Sequence, residues 1–155
     1  MIHKKIVETP FLPMILHSDG KHLIYANFIY GEREEIQQQD DAILLEAKRQ
    51  LAEYFTGTRT DFDLPLKFSG TPFQEKVWST LAEIPYGKVF TYKEVAEKAG
   101  SSKAYRAAGG ACRANPFAVI IPCHRVLGSN GKSTGYAGDN VFMKENLLRL
   151  EGFGE

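Results

Sequence analysis

The chain has 155 residues, a mass of 17.4 kDa and no formal net charge, which fits one domain or two small lobes that share a core. Hydrophobic residues make up 43% and charged residues 25% of the chain, and these ordinary globular proportions exclude bulk disorder. No apolar run reaches the roughly 20 residues of a membrane span, and the first residues lack the apolar stretch of a signal peptide, so we expect a cytoplasmic protein.

The first segments of the chain are predicted to be β-strands. Residues 14–17 and 22–30 flank Ser18-Asp19-Gly20-Lys21, in which Asp-Gly is a strong hairpin signal. Residues 2–7 can add a third strand. A polar loop over residues 31–40 is expected to follow.

A helix is predicted next, over Ala42 to Phe55. Asp41 can cap its start, and its apolar residues recur at helical spacing. Gly57 suits its C-terminal stop. Residues 58–70 have little periodicity and are predicted to be a connector.

The remainder of the chain is predicted to be mainly helical. Thr71-Pro72-Phe73-Gln74 has a capping-box pattern, and that helix ends before Pro85. Thr91-Tyr92-Lys93-Glu94 repeats the pattern for a short helix ending at Gly100. Ser101 or Ser102 is then expected to cap a helix that runs to about Arg113. This arrangement indicates a helix-turn-helix, although any corner between two helices has the same pattern.

Charge is distributed unevenly along the sequence. Residues 1–79 carry a net charge of −3, and residues 80–155 carry +3. No acidic residue lies between Glu97 and Asp139, and this window holds six cations: Lys98, Lys103, Arg106, Arg113, Arg125 and Lys132. A cationic surface on a neutral protein suggests a polyanionic partner, and the alternative is a run of solvated charges.

The predicted helix that ends near Arg113 has almost no bulky side chains. Gly109 and Gly110, in its interior, each cost about 1 kcal/mol relative to alanine. Its small residues permit close approach of another backbone, either a packed helix or the walls of a DNA groove. Arg106 lies two turns before Arg113, so the two share one face.

Two cysteines, Cys112 and Cys123, are too few for a disulfide scaffold. The four histidines are scattered and no C-x-x-C pair is present, so we predict no metal site. Cys112 is predicted to pack within the small-residue helix.

The apolar residues 117–121 lead directly into Pro122-Cys123-His124-Arg125. We predict a buried strand or extended core segment that brings Cys123 to the cationic surface, where positive charge can stabilise its thiolate. His124 is the obvious base, but adjacent side chains rarely bond directly, so a bridging water or a backbone distortion is needed. The alternative is an inert cysteine beside a satisfied histidine.

A longer series of motifs surrounds these residues. Its members are Thr71–Trp78 (TPFQEKVW), Ile84–Gly87 (IPYG), Thr91-Tyr92, Arg106–Arg113 (RAAGGACR), Asn115-Pro116, Pro122–Val126 (PCHRV), Gly135–Gly138 (GYAG), Lys144-Glu145, Leu147-Leu148 and Glu151-Gly152. In this order and spacing, the series resembles the O6-alkylguanine-DNA alkyltransferases, also called methylated-DNA–protein-cysteine methyltransferases. The resemblance is dense over residues 71–152, and the first 70 residues fit the family only in length and general character.

The resemblance implies an α/β (α+β) protein of two parts. Residues 1–70 would form a small antiparallel-sheet, ribonuclease-H-like lobe with a structural role. Residues 71–155 would form a helical, winged-helix-like domain whose helix-turn-helix binds DNA. No cofactor is implied, because DNA itself donates the alkyl group. We expect a monomer that works at the cytoplasmic nucleoid.

The chemistry that the resemblance implies is DNA repair in one irreversible step, so that each molecule acts once. Cys123 would attack as a thiolate and accept the alkyl group of O6-alkylguanine or O4-alkylthymine. His124 would take the thiol proton through a water, and Glu151 would orient and stabilise the imidazolium. Asn115 would brace this network, and Tyr92 would donate a proton to guanine N3.

The resemblance also implies that the damaged base is flipped out of double-stranded DNA from the minor groove. Arg106 would fill the vacated space. Phosphate contacts would come from Thr91, Lys93, Lys103, Arg113 and Ser129.

The Gly135–Gly138 segment resembles a loop that closes on the flipped base. Tyr136 and Ala137 would then bind the substrate together with Tyr92. Some members of the family carry serine at the position of Ala137, so the preference between guanine and thymine adducts stays open.

Two other functions are compatible with parts of the sequence. A lesion sensor would flip bases without transferring the alkyl group, but the non-catalytic branch of the family has tryptophan in place of the reactive cysteine. A cysteine hydrolase would use Cys123 and His124 to cleave an ester or amide. This function does not explain the basic, small-residue helix.

Overall fold

The computed structural model describes residues 1–33, 35–128 and 141–153. The chain divides into two compact units, Met1–Phe68 and Ser69–Glu155. Within the described ranges, we find no helix that is both long enough and apolar enough to cross a membrane.

The N-terminal unit is a three-stranded antiparallel sheet packed against one helix. Its strands β1 (His3–Val7), β2 (Met14–Ser18) and β3 (Leu23–Phe28) lie in sequence order. Alternation along β2 buries Met14, Leu16 and Ser18 on the side that faces the helix. The three predicted strands are confirmed.

The turn between β2 and β3 is stabilised by its own polar residues, as the Asp-Gly pair predicts. The Asp19 carboxylate accepts hydrogen bonds from the backbone N–H groups of Lys21 and His22, at 2.9 and 2.7 Å. Gly20 has a φ of +90°, which residues with a Cβ rarely adopt.

Helix α1 spans Ala42–Phe55, the predicted range. Asp41 caps it by accepting a hydrogen bond from the N–H of Leu44 at 2.8 Å. The buried side of α1 is set by the apolar periodicity of the sequence and consists of Leu44, Ala47, Leu51, Tyr54 and Phe55, together with Gln50.

The C-terminal unit is mainly helical. Its elements are α2 (Pro72–Leu81), β4 (Phe90–Thr91), α3 (Tyr92–Lys98), α4 (Tyr105–Arg113), a 3₁₀ turn (Cys123–Arg125), β5 (Val126–Leu127) and α5 (Val141–Leu150). The short strands β4 and β5 pair in parallel. Both predicted capping boxes are present, Thr71 with Gln74 and Thr91 with Glu94.

Helices α2, α3 and α4 pack against one another, and the small residues of α4 permit this. Ala108, Ala111 and Cys112 form its buried side. The indole N–H of Trp78 on α2 donates a hydrogen bond to the carbonyl oxygen of Ala111 at 2.9 Å. One side of the small-residue helix therefore serves helix packing.

The start of α4 corrects a prediction. Its N-cap is Ala104, which makes no side-chain capping bond, so neither Ser101 nor Ser102 caps the helix. Ser101 instead belongs to the preceding turn, where its N–H bonds to the Ala96 carbonyl and its carbonyl accepts from the N–H of Ala104.

Residues 117–121 correct a second prediction, because they form a buried series of turns instead of a strand. The N–H of Ile121 donates to the carbonyl of Phe117 at 2.9 Å. Val119 has a φ of +73°, a left-handed conformation that is unfavourable for a β-branched residue. The segment is apolar and enclosed, as predicted, but it is folded back on itself.

Candidate active site

Cys123 begins the 3₁₀ turn and is only 2% exposed. The expectation that it lies at a cationic surface is therefore wrong. Asn115 donates a side-chain hydrogen bond to the Cys123 sulfur, with Nδ2 and Sγ 3.1 Å apart. A donor directed at the sulfur favours the thiolate over the thiol.

Asn115 also fixes the turns that lead to Cys123. Its Nδ2 donates to the carbonyl of Ile121 at 2.8 Å, and its Oδ1 accepts from the N–H of Phe117 at 2.9 Å. Asn115 is itself buried, so it positions the turns and the sulfur at the same time.

His124 follows Cys123 and is paired with Glu151, from the end of α5. The His124 Nε2 and a Glu151 carboxylate oxygen lie 2.7 Å apart, and both side chains are fully buried. Burial lowers the pKa of His124 even though the Glu151 carboxylate favours its charged form. The imidazole is therefore neutral at pH 7 and able to accept a proton.

Arg125 corrects a third expectation. The charge pattern predicts a surface cation at this position, but Arg125 is buried and bonded to Glu151 through two of its nitrogens, at 2.8 and 3.0 Å. A third nitrogen donates to the carbonyl of Ile84 at 2.6 Å, and the guanidinium lies 5.6 Å from the ring centroid of Tyr86.

The arrangement keeps Glu151 ionised. Burial by itself raises the pKa of Glu151, but the hydrogen bonds from His124 and Arg125 outweigh it and hold the pKa well below its usual range. The N–H of Gly87 adds a longer contact to the carboxylate at 3.3 Å. His124, Arg125 and Glu151 thus form one buried charged network beside Cys123.

Lys144 is a site residue that the sequence reasoning missed. It is fully buried on α5 and donates a hydrogen bond to the Tyr92 hydroxyl oxygen at 3.2 Å. Burial lowers the pKa of Lys144 to about 8, against the opposing attraction of Cys123. The signal was available, because Lys144 shares the buried face of α5 with Met143, Leu147 and Leu148.

Cys112 lies on the buried side of α4, where it packs as predicted. Burial raises the pKa of its thiol far above the usual value. Cys112 therefore stays a neutral thiol, and the two cysteines of the chain occupy chemically different surroundings.

The described residues that are expected to touch DNA lie at the end of β4, on α3, on α4 and in the turn between these helices. Lys93, Lys103, Arg106 and Arg113 are exposed and Thr91 is half-buried. The outward face of α4 presents two arginines with small residues between and beside them: Arg106, Ala107, Gly110, Arg113 and Ala114.

Tyr92 packs against α4 at a glycine. A Cβ at Gly109 would lie 3.9 Å from two carbons of the Tyr92 ring, so the ring rests against the helix backbone there. The side chain of Tyr92 thus lies between α4 and Lys144. Ser129, Tyr136 and Ala137, also expected in the site, lie outside the described residues, as does Lys132.

No group of three or more His, Cys, Asp or Glu side chains in the described part of the chain is arranged to hold a metal ion.

Comparisons with known proteins identify the family. Residues 72–153 match the family described as "6-O-methylguanine DNA methyltransferase, DNA binding domain", and residues 2–68 match its "ribonuclease-like domain". The chain belongs to the 6-O-methylguanine DNA methyltransferase family. The α/β fold class inferred from the sequence, with a small antiparallel sheet and a helical C-terminal part, is confirmed.

Individual proteins of known family are similar to this chain in sequence or structure over nearly its whole length. The methylated-DNA–protein-cysteine methyltransferase of Methanosarcina acetivorans is 46% identical over 151 residues, covering 95% of this chain and 96% of the relative. The Mycobacterium tuberculosis O6-methylguanine methyltransferase has a TM-score of 0.88 and 39% identity, covering 97% and 93% of the two chains. A structure of the Mycobacterium tuberculosis protein in complex with DNA has a TM-score of 0.87 with 39% identity, covering 96% and 92%.

Proposed function

We propose that this protein repairs DNA by moving an alkyl group from O6-alkylguanine to its own Cys123. Methyl transfer from methylated DNA to a protein cysteine is the activity named for a relative that matches nearly the full chain. The observation that carries the assignment to Cys123 is its surroundings. Its sulfur accepts a hydrogen bond from buried Asn115, and the next residue is the neutral, carboxylate-paired His124.

The first step is loss of the thiol proton. Nε2 of His124 is bonded to Glu151, so the proton would be accepted at Nδ1 through a bridging water. The imidazolium that forms is stabilised by the ionised Glu151, which Arg125 holds in place. Lys144 and the Asn115 N–H stabilise the negative charge left on the sulfur.

The second step is an in-line displacement at the alkyl carbon. A carbon–sulfur bond forms on Cys123 while the bond from the carbon to guanine O6 breaks. The bonding electron pair stays with the guanine. Because a thioether is a poor leaving group, the product is stable and each molecule acts once.

The negative charge on the departing guanine calls for a proton donor. Tyr92 accepts a hydrogen bond from the Lys144 ammonium through its hydroxyl oxygen, and that bond does not use the hydroxyl hydrogen. We assign Tyr92 the role of donor to guanine N3, with Lys144 as the group that positions and polarises it.

DNA is the partner of this chain, in keeping with the DNA-bound relative. We propose that it is duplex DNA, approached from the minor groove with the alkylguanine flipped out. The small, two-arginine outward face of α4 suits a narrow groove. Arg106 would fill the vacated space, and Thr91, Lys93, Lys103, Arg113 and Ser129 would contact phosphates.

The Thr91 hydroxyl can cap α3 and still contact DNA. Its oxygen accepts from the N–H of Glu94 at 3.1 Å, and its hydrogen can be donated to a phosphate. Tyr136 and Ala137 are proposed to hold the flipped base from the loop that contains them. O4-alkylthymine is proposed as a second substrate, and the protein is proposed to act as a cytoplasmic monomer.

Exchange of each cysteine in turn tests this assignment. Cys123→Ser should bind a duplex containing O6-methylguanine and transfer nothing, while the matched Cys112→Ser should transfer normally. Binding is measured by a gel shift and transfer by loss of the labelled methyl group from the DNA. Transfer by Cys123→Ser would refute the assignment, and lesion binding without transfer by the wild type would favour a sensor.

A further inference from the structure

Tyr105, the first residue of α4, is an exposed aromatic side chain next to Arg106. It is 48% exposed, and among the described residues of the C-terminal unit only Phe142 is another large hydrophobic side chain with comparable exposure. An apolar ring left in water beside cationic residues gains free energy when a partner covers it. Neither the transfer chemistry nor the phosphate contacts use this ring.

The helical geometry places Tyr105 on the Tyr92 side of Arg106. Residues four apart lie on one face of a helix, so Tyr105 stands one turn before Gly109. Gly109 is the position against which the Tyr92 ring rests. A base that leaves the duplex toward Tyr92 would then pass beside the Tyr105 ring.

Tyr105 and Arg106 are also coupled to each other. The guanidinium carbon of Arg106 lies 5.9 Å from the centroid of the Tyr105 ring, a cation–π contact. The neighbours of this pair along the chain, Ala104 and Ala107, are small. The pair therefore projects from the N-terminal end of α4 without bulky neighbours in the sequence.

We propose that Tyr105 is a second stacking side chain for base extrusion. Its ring stacks on the base next to the vacated position, on the Tyr92 side of Arg106. Proteins that bind the minor groove insert flat or apolar side chains at unstacked base steps, and aromatic side chains stack on every base without sequence preference. This inference rests on the proposed function, since it concerns how the damaged base leaves the duplex.

The test compares two methyl donors in single-turnover reactions: O6-methylguanine in a duplex and the free O6-methylguanine base. Tyr105→Ala should slow transfer from the duplex about five-fold or more, the loss expected for one stacked base. Transfer from the free base should be unchanged, because nothing has to be extruded. Tyr105→Phe should retain the wild-type rate, and Leu45→Ala, which removes another exposed apolar side chain, should also do so.

A fluorescence measurement separates stacking from a merely structural role. With 2-aminopurine beside the lesion, and Cys123→Ser used to prevent reaction, a tyrosine or phenylalanine at 105 should quench the emission and an alanine should not. The effect should persist when Arg106 is changed to alanine.

Three outcomes would overturn the proposal: a wild-type duplex rate for Tyr105→Ala, equal slowing on both donors, or loss of the Tyr105 effect in the Arg106→Ala background. The last result would mean that Tyr105 only positions Arg106. Failure of the wild type to transfer from either donor would instead refute the proposed function itself.

Discussion

Glu151 is the residue on which the buried charges of the site depend. Its carboxylate faces donors from His124, Arg125 and Gly87. Breaking a buried ion pair by removing one partner is costly, because the other charge is left without compensation. If the Glu151 carboxylate is removed, the buried guanidinium of Arg125 is the charge that is left uncompensated.

We predict that Glu151→Gln lowers the free energy of unfolding by about 3 kcal/mol or more. The emission of Trp78, the single tryptophan and a buried residue of the C-terminal unit, reports this in a denaturant titration. Glu145→Gln, on the exposed side of α5, is the matched control and should have little effect. Equal stabilities of the two variants would contradict the role assigned to Glu151.

His124 makes the stability of the C-terminal unit depend on pH, and it is the only histidine in residues 69–155. Its folded pKa lies below the value of about 6.5 for an unfolded chain. As the pH falls below about 6.5, His124 is protonated in the unfolded state but stays neutral in the folded state. Stability therefore falls with falling pH in this range, and Glu151 adds a further loss below about pH 4.5.

The expected result is a lower denaturation midpoint, followed through Trp78, at pH 5.5 than at pH 7.5. The dependence should flatten in His124→Gln, whose side-chain amide can still donate to Glu151. A midpoint that stays constant or rises on acidification in the wild type would rule out a neutral, buried His124.

The residues of the site differ in how readily they can be identified from the sequence. Asn115, Cys123 and His124 stand in one short stretch and could be singled out directly. The pairing of Arg125 with Glu151 joins residues far apart in the chain, and no local pattern distinguishes a buried arginine from a surface one. Lys144 could have been found, because it occupies the apolar side of α5.

At the scale of elements, α4 has two sides with different tasks. Ala108 and Ala111 pack inward, whereas Ala107 and Gly110 lie between the arginines on the outward side. If the outward side enters a narrow groove, added bulk there should weaken DNA binding without disturbing the fold.

Ala107→Leu should therefore reduce affinity for duplex DNA about five-fold or more, corresponding to a loss of about 1 kcal/mol. Its denaturation midpoint should stay close to the wild-type value, because the side chain points to solvent. Ala52→Leu, at an exposed position of α1, controls for added bulk elsewhere. Fluorescence anisotropy with a labelled duplex gives both affinities, and unchanged binding by Ala107→Leu would exclude close contact at this face.

The bounds of helices with clear capping residues and apolar periodicity could be predicted closely from the sequence. The start of α4 and the conformation of residues 117–121 could not. Asp41 and the apolar periodicity define α1, and the two threonine capping boxes define the starts of α2 and α3. The start of α4 has no side-chain cap, so the nearby serines misled the prediction. The turns at 117–121 depend on a left-handed Val119, a conformation that the tertiary contacts of the site impose against local preference.

At the scale of the whole molecule, the reaction should leave a less stable protein. Cys123 is enclosed, and its sulfur accepts a hydrogen bond from Asn115. A methyl group adds volume to this packed site, and overpacking costs about 1–3 kcal/mol. The thioether also removes the negative charge that Lys144 would otherwise compensate.

We expect the methylated protein to have a Tm a few degrees below that of the unreacted protein, as measured by a thermal melt followed through Trp78. Cys123→Ser incubated with the same damaged duplex is the control and should melt unchanged. A Tm that is equal or higher after methylation would show that the site accommodates the added group without strain.

Mass spectrometry after incubation with a duplex containing O6-methylguanine tests the central claim most directly. Trypsin separates the two cysteines, since Ala107–Arg113 contains Cys112 and Ala114–Arg125 contains Cys123. Transfer to Cys123 predicts a gain of one methyl group per protein, saturating at that value and found on Ala114–Arg125 alone. No gain in mass, or a methyl group on Ala107–Arg113, would contradict the account.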